Sequence, residues 1–199
     1  MNSGYSDLYI GGKLWLAKLE IKDVESVAKS GTPIVLTIGK HLSNASPLAD
    51  FRAEFELTTE QKYSEEECHE DEDSYIKACA KVAAKVQWTA MVNGFVDLRI
   101  SEIVSPYFGL GVGFASLEAE AKESAYGHSD SYSEDINAYE MTFGYQIMFG
   151  VAITPNRNFS IDVGYKIADY GNLKDENEYY DIDANFKSSG LYIGANYIF

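Results

Sequence analysis

Charged side chains recur at alternate positions of segments whose other positions are apolar, an arrangement that can carry charge chemistry inside a fold. Successive side chains of a β-strand point to opposite faces, so the charged and apolar sets would lie on opposite sides of each strand. Buried charges must be paired to be tolerated, so the pattern predicts a network of internal salt bridges. A narrow, gated path for ions through that network is the alternative. The predicted members are Lys13, Asp50, Arg52, Glu54, Glu56, Lys85, Asp97, Glu140, Asp162 and Lys166.

A second group of residues has the types needed for nucleophilic catalysis. His41 precedes Ser43 by two positions, and Asn44 follows. A histidine base and a serine nucleophile would need an acid to orient the histidine, and Glu54 or Glu56 is a candidate. The alternative is a polar turn in which Ser43 and Asn44 bond to the local backbone. We favour the turn, because so short a motif arises readily by chance.

The two cysteines, Cys68 and Cys79, lie in one polar and strongly acidic stretch. In an exported protein they predict a disulfide, because the periplasm is oxidising; the alternative is two thiols. Carboxylates at this density can bind Ca²⁺ or Mg²⁺, but they do not match the Asp-x-Asp-x-Asp-Gly calcium pattern. We expect a solvated, self-repelling segment, no metal site and no cofactor. The acidic residues are Glu65, Glu66, Glu67, Glu70, Asp71, Glu72 and Asp73.

Alternation with a period of two residues runs through the whole chain and is clearest over 139–153. It predicts eight strands, near 8–16, 34–38, 51–57, 86–96, 108–114, 139–153, 159–167 and 189–199. The first strand changes register near Ala17–Leu19, which suggests a bulge. Short turns are predicted near 43–48, 99–105 and 155–158. Long polar loops are predicted at about 22–32, 63–81, 122–136 and 168–183.

Composition and charge narrow the class of protein. The chain has 15 Tyr, 10 Phe and 4 Pro, and it has no apolar run long enough for a transmembrane helix. The net charge of −15 argues against nucleic acid as a partner. The opening residues 1–7 lack the basic and apolar parts of a signal peptide. We interpret the chain as the mature form of an exported protein.

The last strand distinguishes a membrane barrel from a soluble one. Leu191, Ile193, Ala195, Tyr197 and Phe199 share one face, over about the 9–11 residues that a tilted strand needs to cross a bilayer. A soluble, lipocalin-like barrel would put bulky residues from all eight strands into a narrow lumen, and the glycines of 109–113 outside. We therefore predict an all-β fold with a single domain, residues 1–199. It is an eight-stranded antiparallel up-and-down transmembrane β-barrel whose four long loops are extracellular.

The chain resembles the small eight-stranded outer-membrane barrels of the OmpA transmembrane-domain and opacity-protein superfamily. The resemblance rests on the Tyr-Phe-Gly-Leu-Gly-Val-Gly run at 107–113, the strand–turn–strand from Tyr139 to Lys166, and the terminal Tyr197-Ile-Phe199. It implies the outer membrane of a Gram-negative bacterium and contact with lipid and lipopolysaccharide. It also implies insertion by the barrel-assembly machinery, for which Tyr197 and Phe199 would be the signal.

Members of that superfamily are adhesins, immune-evasion proteins, membrane–wall tethers and occasional lipid-modifying enzymes. We expect an adhesin-like or antigenic surface protein, monomeric and not an enzyme, whose loops bind a host surface or matrix protein. A purely structural barrel is the second hypothesis. The third is a lipid A deacylase, because His41-Leu-Ser43 resembles the motif of the lipid A 3-O-deacylases. Those enzymes carry the motif late in the chain, facing the outer leaflet, whereas here it follows the second strand.

Overall fold

In the computed structural model the chain forms one antiparallel β-sheet that closes on itself. The structure describes residues 8–22, 29–42, 48–71, 76–126, 131–177 and 180–199. Within these ranges no helix is long and apolar enough to cross a membrane. The strands are β1 (Leu8–Lys22), β2 (Lys29–Gly31), β3 (Ile34–Leu42), β4 (Ala49–Thr58), β5 (Gln61–Asp71), β6 (Ile76–Leu98), β7 (Val104–Tyr126), β8 (Ser131–Asn156), β9 (Phe159–Asn177) and β10 (Tyr180–Ile198).

The ring closes where the last strand meets the first. β1 pairs with β10 without interruption from Tyr9 opposite Ile198 to Lys22 opposite Asn185. β2 and β3 are two parts of one wall strand, and β4 and β5 are two parts of another, so the ten strands form an eight-stranded ring. The predicted all-β, up-and-down barrel is confirmed.

The half of the barrel where β1 begins and β10 ends has an apolar outer wall. On β1, the side chains of Leu14 and Leu16 are 50% and 61% exposed, whereas the intervening Lys13 and Trp15 are 4% and 0% exposed. On β7, Phe114 is likewise exposed. We call this half, up to the level of Leu16 and Phe114, the membrane section. An apolar outer wall can face lipid, whereas the polar side chains inside the barrel must bond to one another.

Beyond Leu16 and Phe114 the two faces exchange their chemistry. Leu19 and Ile21 of β1 point inward and are buried, while Lys18 and Glu20 point outward and are exposed. A polar wall around an apolar interior is the arrangement that water favours. We call this half the upper section. Its buried apolar residues are Ala17, Leu19, Ile21, Ala84, Val86, Ala115, Leu117, Ala138, Ala168, Leu173, Ala184 and Phe186.

Two sequence predictions are corrected here. The predicted bulge near Ala17–Leu19 is wrong, because the pairing of β1 with β10 is continuous there. The inward and outward side chains of β1 exchange polarity there because its outer face passes from lipid to water. The long polar segments are not irregular loops either: β5 and β6 occupy most of 63–81, β7 and β8 most of 122–136, and β9 and β10 most of 168–183. They are arms of paired strands.

Candidate functional site

The membrane section is filled by a salt-bridge network that spans its lumen. Lys13 Nζ lies 2.6 Å from Glu54 Oε1 and 4.0 Å from Glu56 Oε2. Lys166 Nζ lies 2.8 Å from Glu56 Oε1. The Tyr9 hydroxyl donates to Glu54 Oε2 at 3.0 Å. All these side chains are buried, so each charge has the close partner that burial in a low dielectric demands.

A second part of the network is centred on Arg52. Its Nε lies 2.7 Å from Asp97 Oδ2, and its Nη1 lies 3.6 Å from Asp162 Oδ2. Asn196 Nδ2 also donates to Asp162 Oδ2, at 2.9 Å. The guanidinium lies against the Phe95 ring, 4.6 Å from its centroid, which gives the cation a favourable apolar neighbour.

The lumen around this network is closed. The gap among Lys13, Trp15, Glu56, Met148 and Lys166 has no room for a water molecule. The Lys166 ammonium lies 3.9 Å from the centroid of the Trp15 ring, which covers it. A filled interior agrees with the narrow lumen expected for eight strands. Among the described residues, side chains fill the lumen at the level of Lys13, Glu56 and Lys166.

Sequence reasoning missed several neutral members of the plug. The hydroxyls of Tyr107 and Tyr192 share a hydrogen bond across the lumen. Gln146 Nε2 donates to Glu56 Oε1 at 3.2 Å and to Asn93 Oδ1 at 2.8 Å. Inward-facing glycines could have indicated some of these large lumen residues. A Cβ at Gly39, for example, would overlap the Tyr9 ring. A Cβ at Gly109 would likewise overlap the Phe95 ring.

Lys85 and Glu140 were both predicted in the lumen network, and the structure corrects Lys85. A register shift between Val86 and Trp88 turns Val86 inward and Lys85 outward, so Lys85 lies on the outer wall. Glu140 has the inward phase of Ala138 and Thr142 and accepts a hydrogen bond from the backbone N–H of Lys174, at 2.6 Å. Asp50 pairs with the exposed Arg99 at the mouth of the barrel.

Lys85 belongs to a cluster on the outer wall of the upper section. Its ammonium lies 3.3 Å from Glu118 Oε1 and 2.6 Å from Glu120 Oε1, and Gln87 Nε2 donates to Glu118 Oε2 at 2.8 Å. Burial alone would raise the pKa of Glu118. Hydrogen bonds with Gln87, Glu120, Tyr139 and Lys85 outweigh it and lower the pKa to about 2. The hydrogen bond to Glu120 is the main cause that raises the pKa of Lys85.

Of the candidate catalytic residues, His41 lies at the end of the barrel where β1 begins and β10 ends. There a vestibule of about 390 Å³ is lined by His41, Arg52, Asp97, Arg99 and Ser160, among others. The His41 ring lies 5.3 Å from the Tyr9 ring. Both oxygens of Glu54, the proposed acid, are bonded to Lys13 and Tyr9. Ser43 and Asn44 lie outside the described residues.

In the acidic stretch, the structure describes the backbone of residues 61–71 and 76–81. Cys68 of β5 lies directly opposite Cys79 of β6 in the antiparallel register. Glu72 and Asp73 lie outside the described residues. Among the described residues, no group of three His, Cys, Asp or Glu side chains is placed to hold a metal ion.

The terminal aromatic residues lie on the outer wall of the membrane section. Tyr197 and Phe199 are 52% and 53% exposed, and their rings meet edge to face at 5.2 Å. The backbone N–H of Phe199 donates to the carbonyl of Leu8 at 3.0 Å, which ties the end of the chain to its first described strand residue.

A family model described as "Outer membrane protein beta-barrel domain" matches residues 2–199. The chain belongs to this family. The protein is therefore a surface barrel of the bacterial outer membrane, as the closing strand predicted. Outer membrane protein PagN of Salmonella typhimurium (strain LT2) is 28% identical over 119 residues, which cover 56% of this chain and 49% of PagN. The chain thus spans about half the length of this curated relative.

Two solved structures are similar in fold. Neisserial surface protein A gives a TM-score of 0.50 at 15% identity, with 99% of this chain and 100% of that chain covered. Ail, the attachment invasion locus protein of Yersinia pestis, gives 0.44 at 17% identity, with 98% and 99% covered. At these identities the likeness concerns the fold alone.

Proposed function

We propose that this protein is an adhesin-like surface barrel that binds its partner through the upper section. The observation that carries the proposal is the length of the strands. β8 has 26 residues and β7 has 23, whereas about 9–11 suffice to cross a bilayer. The additional residues form a paired, water-facing extension. A barrel that only supports the membrane has no need of such an extension.

The chemistry of the upper section supports a recognition role. Above its apolar interior the strand arms are paired backbone to backbone, so that the backbone of the arms is ordered before a partner arrives. Preorganised surfaces lose less conformational entropy on binding. The arms are rich in Tyr, Ser and acidic residues, and Tyr and Ser are common contact residues in recognition surfaces. The net charge of −15 favours a partner with basic surface.

In this proposal the upper section faces the outside of the cell, and the barrel is a single monomeric domain. Among the described strands, the membrane section has no unpaired edge that a second copy would have to cover. Tyr197 and Phe199 are the signal for the assembly machinery, and the outer wall contacts lipid and lipopolysaccharide. The lumen network acts as a structural plug. The protein catalyses no reaction.

The experiment trims the arms at positions that face each other in the sheet. Joining Tyr63 to Ala84, and Glu120 to Asn137, each through Asn-Gly, keeps the pairing below the cut because each pair is in register. Bacteria displaying the trimmed barrel at equal density should lose adhesion to host cells and matrix proteins. A matched control replaces the turn residues 157–158 at the other end by Asn-Gly and should keep adhesion. Undiminished adhesion of the trimmed barrel would overturn the proposal in favour of the structural role.

A further inference from the structure

The buried charges of the membrane section do not balance among the described residues. Three cations face four carboxylates there, and each of these side chains belongs to a residue that is at most 6% exposed. The two lysines have Glu54 and Glu56 as close partners, so the excess negative charge lies beside Arg52. The seven residues are Lys13, Arg52, Lys166, Glu54, Glu56, Asp97 and Asp162.

The guanidinium of Arg52 is shared between two aspartates. Its Nε lies 2.7 Å from Asp97 Oδ2, and its Nη1 lies 3.6 Å from Asp162 Oδ2. The Oδ1 atom of each carboxylate is buried and has no hydrogen-bond partner among the described residues, and Arg52 Nη2 has none either. One guanidinium carries one positive charge, so it cannot neutralise both carboxylates. Because an uncompensated buried charge is costly, a further cation is favourable at this place.

The other charged residues at this end of the barrel do not supply that cation. Arg99 is paired with Asp50 at the mouth, and the exposed Glu102 adds a further carboxylate to the lining of the vestibule. The segments that precede β1 and join β3 to β4, residues 1–7 and 43–48, contain no lysine or arginine. The excess negative charge beside Arg52 therefore persists when the neighbouring segments are included.

A cation can reach the excess charge from one side of the network. Asp97 lines the vestibule of about 390 Å³, as do the hydroxyl-bearing residues Thr154 and Ser160. On the inner side, the gap between the ammonium groups of Lys13 and Lys166 has no room for water, and their charges repel a cation. An ion that enters the vestibule therefore binds at its inner end and does not pass the two lysines.

We propose that the vestibule binds one monovalent cation at the Asp97 carboxylate, beside Arg52 and Asp162. A single added charge makes the number of buried cations equal to that of buried carboxylates. Carboxylate oxygens are ordinary ligands of hard cations. A divalent ion would add one charge too many, and among the described residues no three His, Cys, Asp or Glu side chains are grouped to hold one. The site belongs to the membrane section and is independent of recognition by the upper section.

The test measures urea unfolding of the full chain in phosphatidylcholine vesicles, whose headgroups carry no net charge. Sodium chloride replaces N-methylglucamine chloride, whose cation is too bulky for the site, at constant total salt. His41 also lines the vestibule, so the measurement is made at about pH 8, where imidazole is ordinarily neutral. For a dissociation constant of about 10 mM, the equilibrium constant of unfolding should fall about tenfold between about 1 and 100 mM sodium.

Single substitutions locate the ion in the same assay. Asp97→Asn removes the excess charge but keeps an oxygen that can accept from Arg52 Nε, and the sodium dependence should disappear. Asp162→Asn should abolish it as well, and this variant decides the question if Asp97→Asn does not fold. The matched control is Glu102→Gln, which removes an exposed carboxylate from the lining of the same vestibule and should keep the full sodium dependence.

Sodium NMR in phosphatidylcholine nanodiscs detects the ion directly. The sodium line should broaden with the wild type and much less with Asp162→Asn, and equal broadening would place the ion elsewhere. Equal unfolding of the wild type in sodium and in N-methylglucamine would overturn the inference, because a proton or water would then offset the excess charge. Equal loss of the sodium dependence in Glu102→Gln and Asp97→Asn would also overturn it, because sodium would then act on surface charge in general.

Discussion

The ammonium of Lys166 lies 2.8 Å from the carboxylate of Glu56, and the two side chains together span the lumen of the barrel. Lys166 is on β9 and Glu56 on β4, and four steps of strand pairing separate these strands in a ring of eight. The ion pair therefore joins opposite walls. Together with the bonds of Lys13, it links parts of the sheet that backbone pairing alone does not connect.

Lys166→Met should destabilise the barrel strongly. The substitution leaves Glu56 buried without its closest cation, and breaking a buried pair costs about 3–5 kcal/mol. Urea unfolding in lipid vesicles measures the loss. Adding Glu56→Gln should recover much of it, because the uncompensated charge is then gone.

Lys18→Met is the control for that substitution. Lys18 and its partner Glu20 have side chains that are 54% and 51% exposed, and exposed pairs contribute about 0–1 kcal/mol. Equal losses for Lys18→Met and Lys166→Met would contradict the view that the cross-lumen pair holds the walls together.

Gly190→Ala should destabilise the barrel, whereas Gly94→Ala should not. A Cβ at Gly190 would overlap the backbone carbonyl of Leu16, which no side-chain movement can relieve. Overpacking of this kind costs about 1–3 kcal/mol. Gly94 faces outward and has open space around its Cβ position. The heat-dependent shift of the folded band on electrophoresis compares the two, and a loss at Gly94 as large as at Gly190 would refute the packing argument.

Glu118 should make stability depend on acid pH. Its pKa lies at about 2 in the folded barrel, below its ordinary value of 4.5. A lowered carboxyl pKa contributes stability above about pH 4.5, and that contribution is lost as the pH falls toward 2. Glu118→Gln should flatten this part of the unfolding profile. Direct titration of the carboxyl carbon by NMR provides the check, and a midpoint near the ordinary value would contradict the hydrogen-bonded cluster.

Cys68 and Cys79 should form a disulfide that closes the β5–β6 arm. Residues directly opposite in an antiparallel pair have Cα atoms about 4.5–5.5 Å apart, within the range that disulfides bridge. Protein purified from the outer membrane should react with iodoacetamide only after reduction. Cys68→Ser should expose one reactive thiol, at Cys79, without reductant. Labelling of both cysteines in the untreated wild type would show that the pair is reduced.

Sequence reasoning succeeded where one face of a strand meets lipid. In the membrane section, outward apolar and inward charged residues alternate plainly, as Leu14 and Lys13 do, and eight strands followed from that pattern. In the upper section, Leu19 and Ile21 keep the inward phase of Trp15, but the polar residues between them face water. Because of this switch from an apolar to a polar outer face, the sequence pattern predicted a bulge near Ala17–Leu19 and long loops beyond it. Alternation reveals that a strand has two faces, but it does not reveal which face points inward.

Other parts of the candidate site depend on contacts between distant strands. The shift between Val86 and Trp88 that turns Lys85 outward leaves no distinct mark in the sequence. The partners of Glu56 come from β1, β8 and β9, and only the closed ring brings them together.

Ser43→Ala should leave the lipid A of the cell unchanged. A serine–histidine esterase needs an acid to orient the histidine, and both oxygens of Glu54 are already bonded to Lys13 and Tyr9. His41 also lies at the end of the barrel where β1 begins and β10 ends, away from the upper section. Mass spectrometry of lipid A from cells expressing the wild type, Ser43→Ala or His41→Ala should give the same number of acyl chains. Loss of an acyl chain with the wild type alone would establish the deacylase and displace the non-enzymatic role.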